Sequence, residues 1–315
     1  MNLKTAIIDT HTHFGIDRNK IFEKNTGVKK KRGQLLLWDM QILKSKVGFE
    51  KSLIDENNSL DEFVRIMDRN NIVQAWIHQL SFEHDLGYEI LSNEDIADAI
   101  EKYPGRFRGF AGVNPYSNDA LSELKYAIND LKLEGFKVNP NDYGGYKLND
   151  KKLMYPLYEE CCANNIPVSI HTGITPGRIY RMKNNYPLLV DDIAVDFPEL
   201  TIIVEHIGFP WDDLCLSMVQ RHPNMYVTIT AVSNILIHNS PNQFLILVNK
   251  MLSMLGSKKI LWGSDWTATP NIEEVISYIL KLKVPFPVRK MMGIKQIGTS
   301  EKKDILFNNA NRIFS

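Results

Sequence analysis

Short apolar runs alternate with longer stretches in which apolar residues recur every third or fourth position, and the alternation persists along nearly the whole chain. An apolar run between polar turns reads as a buried strand and a 3.6-residue period as an amphipathic helix, so the pattern is that of repeated βα units around a parallel sheet. Strands are predicted at 6–11, 72–78, 108–113, 135–139, 167–171, 201–206, 225–230 and 259–264. The helices between them have legible starts. Ser59 with Glu62, and Ser92 with Asp95, set a side-chain acceptor three positions before an acidic residue, which satisfies free N–H groups of a first turn. Ser240-Pro241 opens another helix, with proline where a missing N–H does no harm.

Eight strands with helices between them and no linker-like shift in composition predict one α/β domain, a (β/α)8 TIM barrel over residues 1–315. An open doubly wound sheet is the second choice, but no G-x-G-x-x-G follows a strand. Two stretches break the alternation. Residues 16–58 read as a long insertion after strand one; because it leaves a strand's C-terminal end, it is expected to cover the active face as a lid. The lysine-rich stretch 28–33 within it reads as a solvated turn. The segment 301–314 is expected to form a helix packed on the barrel's outside.

Composition narrows the function more by exclusion. Hydrophobic residues make up 44% and charged residues 23% of the 315, as in globular domains. Lys+Arg and Asp+Glu balance at 37 each, which removes the field expected of a nucleic-acid or membrane-surface binder and favours a small-molecule substrate. The pattern leaves room for a homo-oligomer. Cys161, Cys162 and Cys215 lack metal-type spacing and read as buried apolar groups in a reducing compartment. No secretory leader or bilayer-length apolar run is visible, so the expected location is the cytoplasm.

The chemistry gathers where predicted strands end. His11 and His13 close the first strand two positions apart, so both imidazoles share a face and can converge in the barrel mouth. His171 ends the fifth, His206 the sixth, and Asp265 runs off the eighth. In barrel enzymes these C-terminal strand ends carry the catalytic groups, and imidazole is the commonest ligand for zinc and similar cations. His78 ends the second strand and is expected either to line the substrate cavity or to bond its neighbours at the rim. His84, His222 and His238 read as surface or helix-end residues. Asp9 has the parity of His11 and is expected to point inward, either accepting a hydrogen bond behind the metal ligands or, the preferred reading, as a structural anchor. Arg178 and Arg181 follow His171 and are read either as carboxylate binders or as solvated loop residues.

Asp9-Thr10-His11-Thr12-His13, the later His171 and His206, and Gly263-Ser264-Asp265-Trp266 together resemble the amidohydrolase superfamily. Asp196-Phe197-Pro198-Glu199-Leu200, His206-Ile207-Gly208-Phe209-Pro210-Trp211 and the ending Asn308-Asn309-Ala310-Asn311-Arg312-Ile313-Phe314 are similar to its amidohydrolase-2 branch, which contains both hydrolases and non-oxidative decarboxylases. The resemblance implies one divalent cation, zinc first and manganese second, held by His11, His13, His171 and Asp265. It implies that His206 faces the substrate or the reactive water, and that Asp265 shuttles a proton. Lys137, at the strand where binuclear relatives carry a carboxylated bridging lysine, is expected to stay unmodified and bind a substrate anion. The expected activity is hydrolysis of a lactone, ester or amide-like carbonyl in a small organic substrate. A decarboxylase using the same site is the alternative, and a catalytically silent metal- or ligand-binding barrel is the alternative of another class.

Overall fold

Strands buried on both faces need apolar side chains on both, and the short apolar runs supply them. The computed structural model describes residues 5–15, 27, 29, 31–35, 39, 58–87, 89–175, 177–268, 271–293 and 295–315. Its strands are β1 (Ile7–Thr12), β2 (Ile72–His78), β3 (Leu80–Ser81), β4 (Glu89–Leu91), β5 (Phe107–Ala111), β6 (Gly135–Val138), β7 (Val168–Ile170), β8 (Ile202–Val204), β9 (Met225–Thr228) and β10 (Ile260–Leu261). Eight of them form one parallel sheet in the order β1-β2-β5-β6-β7-β8-β9-β10. The sheet closes on itself through Thr10 N–H to Trp262 O at 3.1 Å, Asp265 N–H to His11 O at 2.9 Å and a parallel bridge between Thr12 and Trp266. The fold is therefore a (β/α)8 barrel. The antiparallel hairpin β3–β4 is an addition between β2 and β5 that the apolar pattern is too short to reveal.

The helix starts follow the predicted chemistry. Ser59 Oγ accepts from the Glu62 amide, Ser92 and Asp95 form a reciprocal capping box, and Pro241 occupies the first turn of Pro241–Leu255. Most of the core lies between the sheet and these helices, where Ile7, Ala75 and Ile77 meet Phe63 and Met67 of Leu60–Asn70. A second, smaller core fills the barrel itself: Ile8, Trp76, Phe110, Ile203 and Leu261 come from five different strands and pack together with Ala310.

That inner core corrects one expectation. The segment 301–314 lies only in part against the outer wall, where Ile305 and Leu306 join the main core. Phe307, Ile313 and Phe314 pack onto the inner cluster, with the Phe314 ring 5.2 Å from Trp76 and 6.2 Å from Phe110. Trp76 lies two positions before His78 and Phe110 stacks on that ring, so the C-terminal segment closes the barrel beneath the histidine layer and forms its floor. The stretch 16–58 lies largely outside the described residues. Within it, Arg32 pairs with Asp85 and Asp39 is held by Arg178. Cys161 and Cys215 are buried and Cys162 partly buried, none in a disulfide. Among the described residues no helix is long and apolar enough to cross a membrane.

Candidate metal centre

Regular strand geometry alone would not bring the polar strand ends to one point; three local departures do. In β1, Asp9 pairs with Ala75 and Thr12 with Ile77, so three steps on one strand match two on the other. This bulge reverses the parity between Asp9 and His11. Asp9, opposite the outward-facing Ala75, does not join the imidazoles inside. Instead its Oδ1 accepts the amides of Ser264 at 2.7 Å and His11 at 3.3 Å, tying β1 to β10. Burial raises its carboxyl to about 7, against the opposing pull of those hydrogen bonds.

The second departure is His206, whose left-handed backbone (φ 55°, ψ 23°) turns both Glu205 and His206 into the barrel although they are neighbours in sequence. The third is Asp265, also left-handed at φ 60°. Such conformations cost about 1–3 kcal/mol each and persist where packing imposes them. Gly263 lets the last strand approach, because a Cβ there would lie 2.6 Å from Thr230 Oγ1 and 2.8 Å from the His11 backbone nitrogen.

The result is a buried cluster. His11 Nε2 lies 3.2 Å from His13 Nε2 and 3.4 Å from Asp265 Oδ1, and His13 Nε2 lies 3.9 Å from that oxygen. His171 stands in a neighbouring group with Glu205 and His206. His78 has no exposed surface. It stacks between His11 at 4.3 Å and Phe110 at 4.4 Å and bonds the Thr10 carbonyl at 3.1 Å, so of the two readings it bonds its neighbours, and it is buried beneath the centre and not on a cavity wall. Lys137 is likewise buried and paired with Glu205, and Arg178 is bound to Asp39 through its Nε at 2.6 Å and its amide at 2.8 Å. Two of the three candidate anion binders thus face carboxylates, and the third, Arg181, is exposed. Sequence reading assigned Glu205 no role; its one signal was a charged residue in an apolar strand directly before His206.

Proton positions follow from acceptors that cannot donate. His13 Nδ1 faces the His78 carbonyl at 2.9 Å, so the proton sits on Nδ1 and the Nε2 lone pair is free. His206 Nδ1 faces the Thr230 carbonyl at 3.1 Å, so its Nε2 accepts from His171 Nδ1, also at 3.1 Å. That leaves the His171 Nε2 lone pair buried and without a hydrogen-bond partner among the described residues. Burial holds His13 and His206 at about 4 and pushes His171 and His11 down, so all four rings are neutral. The His13 Nε2 lone pair faces His11 Nε2 at 3.2 Å, a spacing filled either by a proton on His11 Nε2 or by a cation shared between the two nitrogens. Ligand nitrogens about 2.0–2.1 Å from a tetrahedral metal stand ~3.3 Å from each other, close to the spacings found. The donor set therefore fits a divalent cation at His11, His13 and Asp265. His171 is adjacent with its lone pair unused.

Asp265 is the carboxylate of this cluster that reaches the mouth, with its side chain 14% exposed against 0% for Glu205. Burial raises its carboxyl, partly opposed by His206 and Lys137. On Glu205 burial acts in the same sense, but Lys137 and His11 outweigh it and hold that carboxyl well below the usual range.

Comparison with known proteins gives one family and one fold. The family model for amidohydrolases matches residues 79–315. No curated protein matches the sequence. Among solved structures, an uncharacterised TIM-barrel protein from Bordetella bronchiseptica is similar at 22% identity and a TM-score of 0.73, covering 98% of each chain. A 5-carboxyvanillate decarboxylase from Novosphingobium aromaticivorans, in complex with manganese and 4-hydroxy-3-methoxy-5-nitrobenzoic acid, is similar at 17% and 0.68, covering 100% of this chain and 97% of that one. A probable 2-pyrone-4,6-dicarboxylic acid hydrolase from Acinetobacter baumannii, with citric acid bound, is similar at 16% and 0.61, covering 98% and 99%.

Proposed function

The chain belongs to the amidohydrolase family, and from that premise we propose that it is a metal-dependent hydrolase acting on a lactone, ester or amide-like carbonyl of a small organic substrate. His11, His13 and Asp265 hold one divalent cation, with the His171 Nε2 lone pair as a further donor. Zinc suits the imidazole set, and the manganese of the decarboxylase neighbour makes that ion the second choice. A cation held there supplies a Lewis acid that fixes and polarises a substrate oxygen.

The carrying observation is Asp265. It is the one member of the cluster that is both a carboxylate and open to the mouth, so it can take a proton from an attacking water and return it to the leaving group. His206 has both ring nitrogens engaged, by the Thr230 carbonyl and by His171. Its role in this reading is to orient His171, and carbonyl polarisation falls to the cation site.

Hydrolysis is supported by the pairing of two of the cations expected to receive a substrate carboxylate, Lys137 with Glu205 and Arg178 with Asp39, whereas the third, Arg181, is exposed. The second reading, a non-oxidative decarboxylase, is supported by the decarboxylase neighbour with its bound benzoic acid analogue. Metal-loaded protein offered lactones, esters and amides in 18O water, and aromatic carboxylic acids in parallel, separates the two. Acid release with one 18O in the product is expected. CO2 release from the carboxylic acids favours the second reading, and turnover of neither class by metal-loaded protein removes both.

A further inference from the structure

Glu205 is a carboxylate with no exposed surface whose two oxygens divide among the groups that organise the centre. Oε1 accepts from Ser169 Oγ at 2.7 Å and lies 3.4 Å from His11 Nδ1. Oε2 pairs with Lys137 Nζ and lies 3.6 Å from His171 Nδ1. His78 Nδ1 is also close, at 3.5 Å, but its ring proton is on Nε2, which faces the Thr10 carbonyl at 3.1 Å. Of these two rings only His11 can therefore turn a proton toward Oε1, across a 3.4 Å approach that is longer than a formed hydrogen bond.

We propose that Glu205 is a positioning residue with two tasks: it fixes the proton of His11 on Nδ1, so that Nε2 turns a lone pair toward His13 and Asp265, and it holds the Lys137 amine inside the barrel. The first follows from the acceptor-only character of a carboxylate. A neutral ring with its proton on Nε2 would aim that proton into the space between His11, His13 and Asp265 and close it to a cation. The second follows from burial. The Lys137 side chain is 3% exposed and lies against Glu205, and a carbamate on its amine would set a second anion beside that carboxylate with no bulk water between them. Outer carboxylates that orient ligand imidazoles commonly change metal affinity by about 10–100-fold when removed.

Only the metal-affinity part rests on the cation reading above, so the experiment begins without metal. Long-range 15N–1H correlation spectra of the metal-free native chain, with the His11 signals identified by their loss in His11→Gln, report the tautomer directly. A protonated Nδ1 and unprotonated Nε2 are expected. A proton on Nε2 overturns the proposal, and this needs no variant of Glu205. In Glu205→Gln, a population of His11 protonated on Nε2 and a ~10–100-fold weaker zinc affinity are expected. A lowered melting temperature with the native tautomer and native zinc affinity would mean that Glu205 serves packing alone, and the proposal fails. The native chain incubated with 13C-bicarbonate is expected to show no lysine carbamate signal; such a signal, lost in Lys137→Met, overturns the second task. If the tautomer is as expected while native protein binds neither zinc nor manganese, the positioning role stands and the hydrolase reading falls.

Discussion

Replacing Lys137 with methionine tests whether the centre contains a true buried charge pair. Methionine keeps the length and apolar stem and removes the ammonium, leaving Glu205 charged, fully buried and without its ion partner. Breaking one half of such a pair typically costs ~3–5 kcal/mol. Ser169 still donates to Oε1 at 2.7 Å and His11 lies 3.4 Å away, so the lower end applies, about 3 kcal/mol. With an unfolding entropy of about 2.1 cal/mol/K per residue over 315 residues, roughly 0.66 kcal/mol/K, this lowers Tm by ~5 °C. Adding Glu205→Gln removes the stranded charge and should recover most of the loss. Calorimetry of the native chain, the single variant and the double variant, all with chelator present, measures both numbers. A drop below ~1 °C for Lys137→Met, or a double variant less stable than the single, refutes the argument that these groups neutralise each other out of water.

Asp265→Asn should retain part of its metal and lose turnover by at least ~10²–10⁴-fold, the contribution of general acid–base help alone. Metal-loaded Asp265→Asn with native turnover removes the aspartate from the mechanism. The histidines set a pH dependence of stability. His13 and His206 sit at about 4 in the fold against the ordinary imidazole value of 6.5, so the unfolded chain takes up protons that the folded chain refuses. Their contribution is complete above about pH 6.5 and is lost as pH falls toward 4, by ~2 kcal/mol each at pH 5. Urea denaturation of metal-free protein at pH 7.5 and 5 should show a smaller loss in His206→Gln than in the native chain, and an equal loss contradicts the assignment. Phe314→Ala should cost roughly 1.5–3 kcal/mol of stability by opening the floor of the barrel, with metal stoichiometry unchanged. A loss of bound metal in folded Phe314→Ala shows that floor and mouth are not independent.

The fold was legible because its signal is long-range and repetitive: each apolar run stops at a polar residue, and the strand ends at His78, His171 and His206 mark the mouth without any tertiary information. What escaped was set by single backbone angles. A bulge between Asp9 and Thr12 reversed a parity that a regular strand would keep. Two residues in left-handed conformation, His206 and Asp265, aimed side chains that strand periodicity sends elsewhere. Glu205 was overlooked because neighbouring residues in a regular strand face opposite ways, so it and His206 do not register as a pair. The C-terminal segment divides between two cores, Ile305 and Leu306 on the outer one and Phe307, Ile313 and Phe314 on the inner one, and its apolar positions alone do not show where the division falls. Lys137 and Arg178 were read as free cations because their partners, Glu205 and Asp39, are distant in sequence.

The account turns on a cation shared by the facing Nε2 atoms of His11 and His13. Metal analysis of the native chain and of His13→Ala, each dialysed against a weak chelator and then given equal zinc, with circular dichroism to verify the fold, tests this most directly. The native chain should retain one zinc per chain, and folded His13→Ala should retain none. Stoichiometric zinc in folded His13→Ala, or none in the native chain, contradicts the account.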